Sequence, residues 1–128
     1  MDAEPPNVRP LRPMRVLLVT DDDGLAERVS AAAAEQGLPL ARASSADDLD
    51  TTAEQHRPNV VALDARTRLA RAARSASAFA NLNPEVAVVV LTRTASPREI
   101  SGVRLVRAWR PPERLLHELR RVHVGLEA

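Results

Sequence analysis

Three short apolar runs in this sequence each stop abruptly at polar residues. The runs are Arg15–Thr20, which is followed by Asp21, Pro58–Leu63, which is followed by Asp64, and Val86–Leu91, which is followed by Thr92. Runs this short and this rich in β-branched residues indicate strands buried on both faces, as in a parallel sheet covered by helices. In such sheets the functional site lies just beyond the carboxyl ends of the strands. The sequence therefore predicts a site at one sheet edge, built from residues that follow the three runs: Asp21, Asp64 and Thr92.

Amphipathic helical patterns alternate with these runs. After the first run, Leu25, Val29 and Ala32 recur at helical steps. Residues 38–43 form a weak, proline-containing run suited to a sheet edge, and residues 103–109 predict a last strand. Strands that alternate with helices indicate right-handed crossovers. The pattern predicts a flavodoxin-like α/β three-layer sandwich, whose five-stranded parallel sheet has the order 2-1-3-4-5.

Local signals predict where the first two helices begin and end. Asp23 is suited to the start of the first helix, and Gly37 to its end. The segment 45–48 has the spacing of a capping box, which predicts that the second helix opens at Ser45. Pro58 ends that helix before the central strand.

Length and composition limit the class of protein. The chain of 128 residues is one domain by length, predicted over residues 14–125 after a disordered, proline-rich tail at 1–13. It has no cysteine, so disulfides and thiolate metal sites are excluded. No apolar run is long enough to span a membrane, which predicts a cytoplasmic protein. A net charge of +1 predicts no direct binding to nucleic acid or membrane.

These motifs resemble the receiver domain of bacterial response regulators, the CheY-like fold, over about residues 14–123. Asp64 matches the phosphoacceptor of that family, Thr92 its switch hydroxyl, and Arg110 the lysine of its lysine–proline pair. The resemblance implies a signalling domain of a two-component phosphorelay, not an enzyme. Such a domain accepts a phosphoryl group on Asp64 and relays it to a partner by a conformational change.

The resemblance also implies a Mg²⁺ ion, because a phosphoryl group approaching a carboxylate needs its charge offset. The expected ligands are the carboxylates of Asp21 and Asp64 and the backbone carbonyl of Arg66. Asp22 is a further candidate ligand. Arg110 would supply positive charge to the phosphoryl group, although its planar guanidinium does not replace a lysine conservatively.

The sequence departs from the family pattern at several positions. Thr20 stands at the first acidic position, and Arg110 replaces the lysine. The loop after Asp64 is shorter than usual. Only 17 residues separate Thr92 from Arg110, which predicts a shortened fourth helix.

These departures leave two alternatives open. In the first, the chain is a pseudo-receiver that binds partners without phosphorylation. Arg110 would then pair with Asp64 or Asp21, or the acids would be neutralised by Arg66, Arg68 or Arg110. The second alternative is a flavodoxin-like nucleotide-binding enzyme, which is disfavoured because the acidic loop at 20–23 repels anions.

Partners are expected to be a histidine kinase or another signalling protein, and a homodimer is also considered. The shortened fourth helix predicts a remodelled partner surface at Ser96–Trp109. Arg107 and Trp109 point the same way along the last predicted strand and belong to residue types that dominate interfaces.

Overall fold

A computed structural model of the chain describes residues 14–66, 69–92, 103–107 and 112–127. The strands are β1 (Val16–Val19), β2 (Leu40–Ala43), β3 (Val60–Asp64), β4 (Ala87–Thr92) and β5 (Val103–Arg107). The helices are α1 (Asp23–Glu35), α2 (Leu49–His56), α3 (Leu69–Leu82) and α4 (Pro112–Glu127).

The strands form a parallel sheet in the order β2-β1-β3-β4-β5. The predicted α/β fold with a parallel sheet is confirmed. Strand β2 begins directly after Pro39 and lies at the sheet edge, where the proline-containing run was predicted to lie. All six residues of β4 and the first four of β3 are buried, which explains their continuous apolar sequences.

Each face of the sheet has its own hydrophobic core. On one face, α1 and α4 cover the sheet through side chains that include Val29 and Leu116. On the other face, Ala76 and Phe79 of α3 are buried, and α2 packs there through Leu49. The two cores make the three-layer sandwich that alternating strands and helices predict.

The helix ends differ in detail from the prediction. The N-cap of α1 is Asp22 rather than Asp23. The second helix begins four residues later than Ser45, at Leu49, and Asp48 caps it by accepting a hydrogen bond from the Thr51 amide. Gly37 follows α1 with a φ of 65°, the left-handed conformation in which glycine ends helices without steric cost.

Several expectations lie outside the described residues. They concern the proline-rich tail at 1–13, the shortened helix predicted between β4 and β5, and the partner surface at Ser96–Trp109 apart from β5. The predicted short helix is not α4, which follows β5. Among the helices that the structure describes, none has the length and apolar character needed to cross a membrane.

Candidate functional site at the carboxyl edge of the sheet

Thr20 and Asp64 are neighbours at the carboxyl ends of β1 and β3. The register pairs Val19 of β1 with Leu63 of β3, so the residues that follow them, Thr20 and Asp64, lie side by side. The buried Thr20 hydroxyl donates a hydrogen bond to Oδ2 of Asp64 at 2.7 Å. The same hydroxyl oxygen accepts a hydrogen bond from the Asp22 amide at 3.0 Å. Thr20 therefore ties the β1–α1 loop to Asp64.

The side chain of Arg66 closes over Asp64 from the other direction. Its Nε donates to Oδ1 of Asp64 at 2.8 Å, and its Nη2 donates to Oδ2 at 2.8 Å. The backbone amide of Arg66 adds a third bond, to Oδ1 at 3.2 Å. With the bond from Thr20, Asp64 accepts four hydrogen bonds, two at each oxygen. An ionised carboxylate has about four acceptor sites, so these donors satisfy it. The paired bonds are the bidentate geometry in which arginine holds a carboxylate most firmly.

Asp22 extends this ion pair into a three-member cluster. Nη2 of Arg66 lies 2.6 Å from Oδ2 of Asp22. The other oxygen of Asp22 accepts a hydrogen bond from the Leu25 amide at 3.1 Å and so caps α1. Arg66 thus bridges two carboxylates that come from β3 and from the start of α1. We call Asp22, Asp64 and Arg66 the arginine latch.

Asp21 takes no part in the arginine latch. Its Oδ1 accepts hydrogen bonds from the Ser44 hydroxyl at 3.0 Å and from the Ser45 amide at 2.9 Å. The Ser45 hydroxyl makes a further short hydrogen bond to its Oδ2. Asp21 is therefore held by the loop between β2 and α2. Ser45, whose spacing suggested a helix cap, serves instead as a partner of this carboxylate.

A second arginine holds the same loop from strand β2. Arg42 donates from Nε and Nη2 to the backbone carbonyl of Thr20 at 3.3 and 3.2 Å. Its Nη2 also lies 2.8 Å from Oδ1 of Asp23. This ion pair is exposed, so its main effect is to fix the position of the loop rather than to add stability.

The protonation of the latch follows from these contacts. Burial alone would raise the pKa of Asp64, but hydrogen bonds from Arg66 and Thr20 outweigh it and hold the pKa below the usual 3.8. The pKa of Arg66 is raised, chiefly by its hydrogen bonds to Asp64. The Leu25 amide and then Arg66 lower the pKa of Asp22. Near neutral pH the cluster therefore contains two carboxylates and one guanidinium.

The pKa of Asp21 is also lowered, by a separate set of donors. The Ser45 hydroxyl has the largest effect, followed by the Ser45 amide and the Ser44 hydroxyl. Asp21 is thus ionised but turned toward a different loop from the one that holds Asp64.

The arrangement does not fit a Mg²⁺ ion as it stands. Mg²⁺ needs free carboxylate oxygens in near-octahedral geometry, whereas both oxygens of Asp64 already accept hydrogen bonds from Arg66. Asp21, the other expected ligand, accepts hydrogen bonds from the serines. Within the described residues, no group of three or more histidine, cysteine, aspartate or glutamate side chains is placed to hold a metal.

The remaining predicted site residues are placed as follows. Thr92 ends β4 and is 3% exposed, at the same sheet edge as Asp64. Asp22, the additional candidate ligand, is the predicted acid that the structure brings to Asp64 through Arg66. Arg110 lies outside the described residues, and so does Arg68.

The sequence signalled only part of this network. Arg66 was expected either to present its backbone carbonyl to a metal or to neutralise the acids, and its side chain does the latter. The hydrogen bonds from Ser44 and Ser45 to Asp21 were not expected. They join loops that follow different strands, and only the pairing of β1 with β2 brings those loops together.

No family model and no curated protein sequence matches the chain. Solved structures do resemble it. The chemotaxis response regulator CheY4 of Vibrio cholerae is 20% identical, with a TM-score of 0.72, and the match covers 85% of this chain and 98% of that one. A CheY-like receiver domain from Methanospirillum hungatei is 19% identical, with a TM-score of 0.74, and the match covers 89% and 96%.

A third similar structure is described as an atypical orphan response regulator with a phosphorylation-independent regulatory mechanism. It is 14% identical, with a TM-score of 0.70, and the match covers 87% of this chain and 96% of that one. At these identities the likeness is one of fold. The chain therefore has the fold of a response regulator receiver domain, as its motifs suggested.

Proposed function

We propose that this chain is a receiver-like signalling module of the two-component type that acts through protein contacts without phosphorylation of Asp64. The observation that carries the proposal is the bidentate pairing of Arg66 with Asp64. In this proposal the arginine latch occupies the place where a phosphoacceptor site would hold a metal ion and a phosphoryl group.

The nucleophile is the first obstacle to phosphorylation. A carboxylate oxygen attacks phosphorus only if a lone pair is free and aligned. Oδ2 of Asp64 accepts from Thr20 and Arg66, and Oδ1 accepts from the side chain and the amide of Arg66. A phosphodonor would have to displace charge-assisted hydrogen bonds, which are roughly twice as strong as neutral ones.

Charge is the second obstacle. Offsetting the repulsion of a phosphoryl group requires a bound cation, and Mg²⁺ is held by carboxylates. Thr20, at the first acidic position, is neutral, and Asp21 is engaged by Ser44 and Ser45. Arg66 already supplies a positive charge to Asp64 and Asp22. Arg66 thus balances one of the two negative charges of the cluster without a metal.

A phosphoacceptor receiver is the second candidate, favoured by the position of Asp64. It lies at the carboxyl end of β3, largely buried and ionised, and the buried Thr92 ends the neighbouring strand. In that function Mg²⁺ would bind Asp21, Asp64 and the Arg66 carbonyl. Thr92 would bind the phosphoryl group and Arg110 would offset its charge. Arg66 would first have to leave Asp64.

An enzymatic function has less support. A nucleotide or flavin phosphate is usually bound by a glycine-rich loop at a helix N-terminus. Here Asp21, Asp22 and Asp23 stand at the start of α1, where they repel anions. The proposed partners are a histidine kinase or another signalling protein of the cytoplasm, or a second copy of this chain. No direct contact with nucleic acid or membrane is proposed.

Treatment with acetyl phosphate and Mg²⁺, followed by intact mass measurement, tests the proposal. We expect the mass of the unmodified chain to stay unchanged. Arg66→Ala should raise the phosphorylated fraction, because it removes the two side-chain hydrogen bonds that Arg66 makes to Asp64. Arg74→Ala, which removes an exposed arginine of α3, is the matched control. A gain of one phosphoryl group by the natural sequence, lost in Asp64→Asn, would instead establish the phosphoacceptor receiver.

A further inference from the structure

A groove of about 790 Å³ runs along α2 to the last turn of α3, at the opposite edge of the sheet from the arginine latch. Its lining includes Arg15, Asn59 and Val86, which stand directly before β1, β3 and β4. The groove therefore lies at the amino ends of the strands, whereas Asp64 lies at the carboxyl end of β3.

The floor of the groove is apolar and belongs to the packed core. Phe79 is 4% exposed, and Pro58 is buried. Ala53 and Val86 are partly buried against the same core as Phe79. Because core side chains of this kind are closely packed, the groove is formed before any occupant arrives, as binding sites usually are.

Leu82 adds an apolar side chain to the rim of this groove. It follows Phe79 by three residues on α3, so both lie on the same side of the helix. Leu82 is 74% exposed, the one large hydrophobic side chain that is exposed among those the structure describes. A single exposed leucine is unremarkable on a protein surface. Beside an apolar floor it extends a surface that one occupant would bury as a unit.

The charged rim of the groove is acidic. Asp50, Glu54 and Glu85 are exposed lining residues. Within the described residues, no ion pair or hydrogen bond reaches their carboxylates. Arg15 and Arg57 also line the groove, but Nη2 of Arg15 already donates to a backbone carbonyl at 3.0 Å. The rim therefore carries a surplus of uncompensated negative charge.

The charged residues of α2 stand where they do little for the stability of the helix. Asp50 and Glu54 are four residues apart, a spacing at which like charges repel each other on a helix surface. Glu54 also lies in the last turn, where the helix dipole disfavours a negative charge. Arg57 follows with a φ of 47°, a conformation that glycine adopts at lower cost. Local choices that cost stability are expected at functional sites, which favours a binding role for this rim.

We propose that the groove binds a segment of a partner protein in which basic side chains flank an apolar one. The apolar side chain would cover Leu82 and rest on the floor at Phe79. The basic side chains would pair with the carboxylates of Glu54 and Glu85. Apolar burial would supply most of the affinity, and the charges would set the orientation. The surface lies away from the arginine latch, so this inference goes beyond the proposed function and does not rest on it.

Charge argues against other occupants of the groove. The phosphates of a nucleic acid or of an anionic lipid surface would be repelled by the carboxylates of the rim. A second copy of this chain would bring the same acidic surplus to the contact, so like charges would face each other. A basic segment of a different protein complements both the apolar floor and the acidic rim.

Titration of the natural chain with a synthetic peptide tests the inference. The probe is a short peptide in which arginine and leucine alternate, and nuclear magnetic resonance follows the amide signals. We expect saturable shifts of the amides of Ala53, Glu54 and Leu82. A peptide with glutamate in place of arginine should cause none, and one with serine in place of leucine should bind about tenfold more weakly. Absence of saturable shifts, or shifts confined to the acidic loop at Asp21–Asp23, would overturn the inference.

Variants separate binding in the groove from attraction to the net charge of the protein. The double change Glu54→Arg and Glu85→Arg should weaken binding of the arginine–leucine peptide about tenfold. Glu27→Arg with Glu35→Arg, at exposed positions of α1 on the other face of the sheet, is the charge-matched control and should weaken it far less. Leu82→Ser, also at an exposed position, should weaken it as well. Equal losses in the two double variants, or no loss in Leu82→Ser, would overturn the inference.

Discussion

The guanidinium of Arg66 donates a hydrogen bond to each carboxylate oxygen of Asp64, from Nε to Oδ1 at 2.8 Å and from Nη2 to Oδ2 at 2.8 Å. Only one residue separates the two in sequence, so the geometry depends on the turn that the chain makes at the end of β3. The Ala65 amide donates to the Leu91 carbonyl at 2.8 Å and fixes that turn against β4. The latch is therefore built on the rigid sheet.

Removing Arg66 should destabilise the protein. The Asp64 side chain is only 11% exposed in the natural chain, and in Arg66→Ala it loses its cationic partner and keeps only Thr20 as a side-chain donor. We expect a loss of about 1–3 kcal/mol in the free energy of unfolding at neutral pH. The free energy of unfolding of Arg66→Lys should lie between those of the natural chain and of Arg66→Ala, because an ammonium keeps the charge but cannot make two parallel hydrogen bonds. Urea denaturation measures the effect, and Arg74→Ala should show almost none. Equal stability of all three variants would contradict a bidentate latch.

Acid should weaken the fold through Asp64. Its pKa is lower in the folded chain than the usual 3.8, so the folded state binds fewer protons than the unfolded state. The stabilisation is complete well above pH 3.8 and is lost as the pH falls through that value toward the lower pKa of the folded state. Asp64→Asn should flatten the dependence of the unfolding free energy on pH in this range. An unchanged dependence would mean that Asp64 has the same pKa folded and unfolded.

Thr20 should stabilise the fold through the hydrogen bonds of its hydroxyl rather than through the volume of its side chain. Thr20→Val keeps the shape but removes the donor to Asp64 and the acceptor for the Asp22 amide. Because the site is buried, we expect a loss of about 1–3 kcal/mol in the free energy of unfolding. Thr20→Ser keeps the hydroxyl and should cost less. Chemical denaturation of the two variants makes the comparison, and a valine variant as stable as the natural chain would exclude this role.

The sequence predicted the architecture because the buried strands carry strong patterns. The stretch Val60–Leu63 before Asp64 is apolar at every position, since both faces of β3 are covered. Asp64 and Thr92 could be located for the same reason, because each ends a buried strand. The α/β class needed no knowledge of side-chain contacts.

The partners of the carboxylates were harder to predict. Asp21 and Asp22 are adjacent in sequence, but Asp21 contacts Ser45 whereas Asp22 caps α1 and contacts Arg66. Which neighbour each carboxylate meets depends on the turn into α1 and on the loop after β2. Neither is encoded in a periodic pattern. Arg110, which was expected near the phosphoryl group, lies outside the described residues.

The most direct test of the account is a titration of the natural chain with Mg²⁺ and beryllofluoride, a stable mimic of a phosphoryl group. The amide signals of Ala65 and Arg66 report on the site by nuclear magnetic resonance. Because Arg66 donates hydrogen bonds to both oxygens of Asp64, we expect these signals not to move. A saturable shift of both signals, absent in Asp64→Asn, would contradict it and show that Asp64 can receive a phosphoryl group.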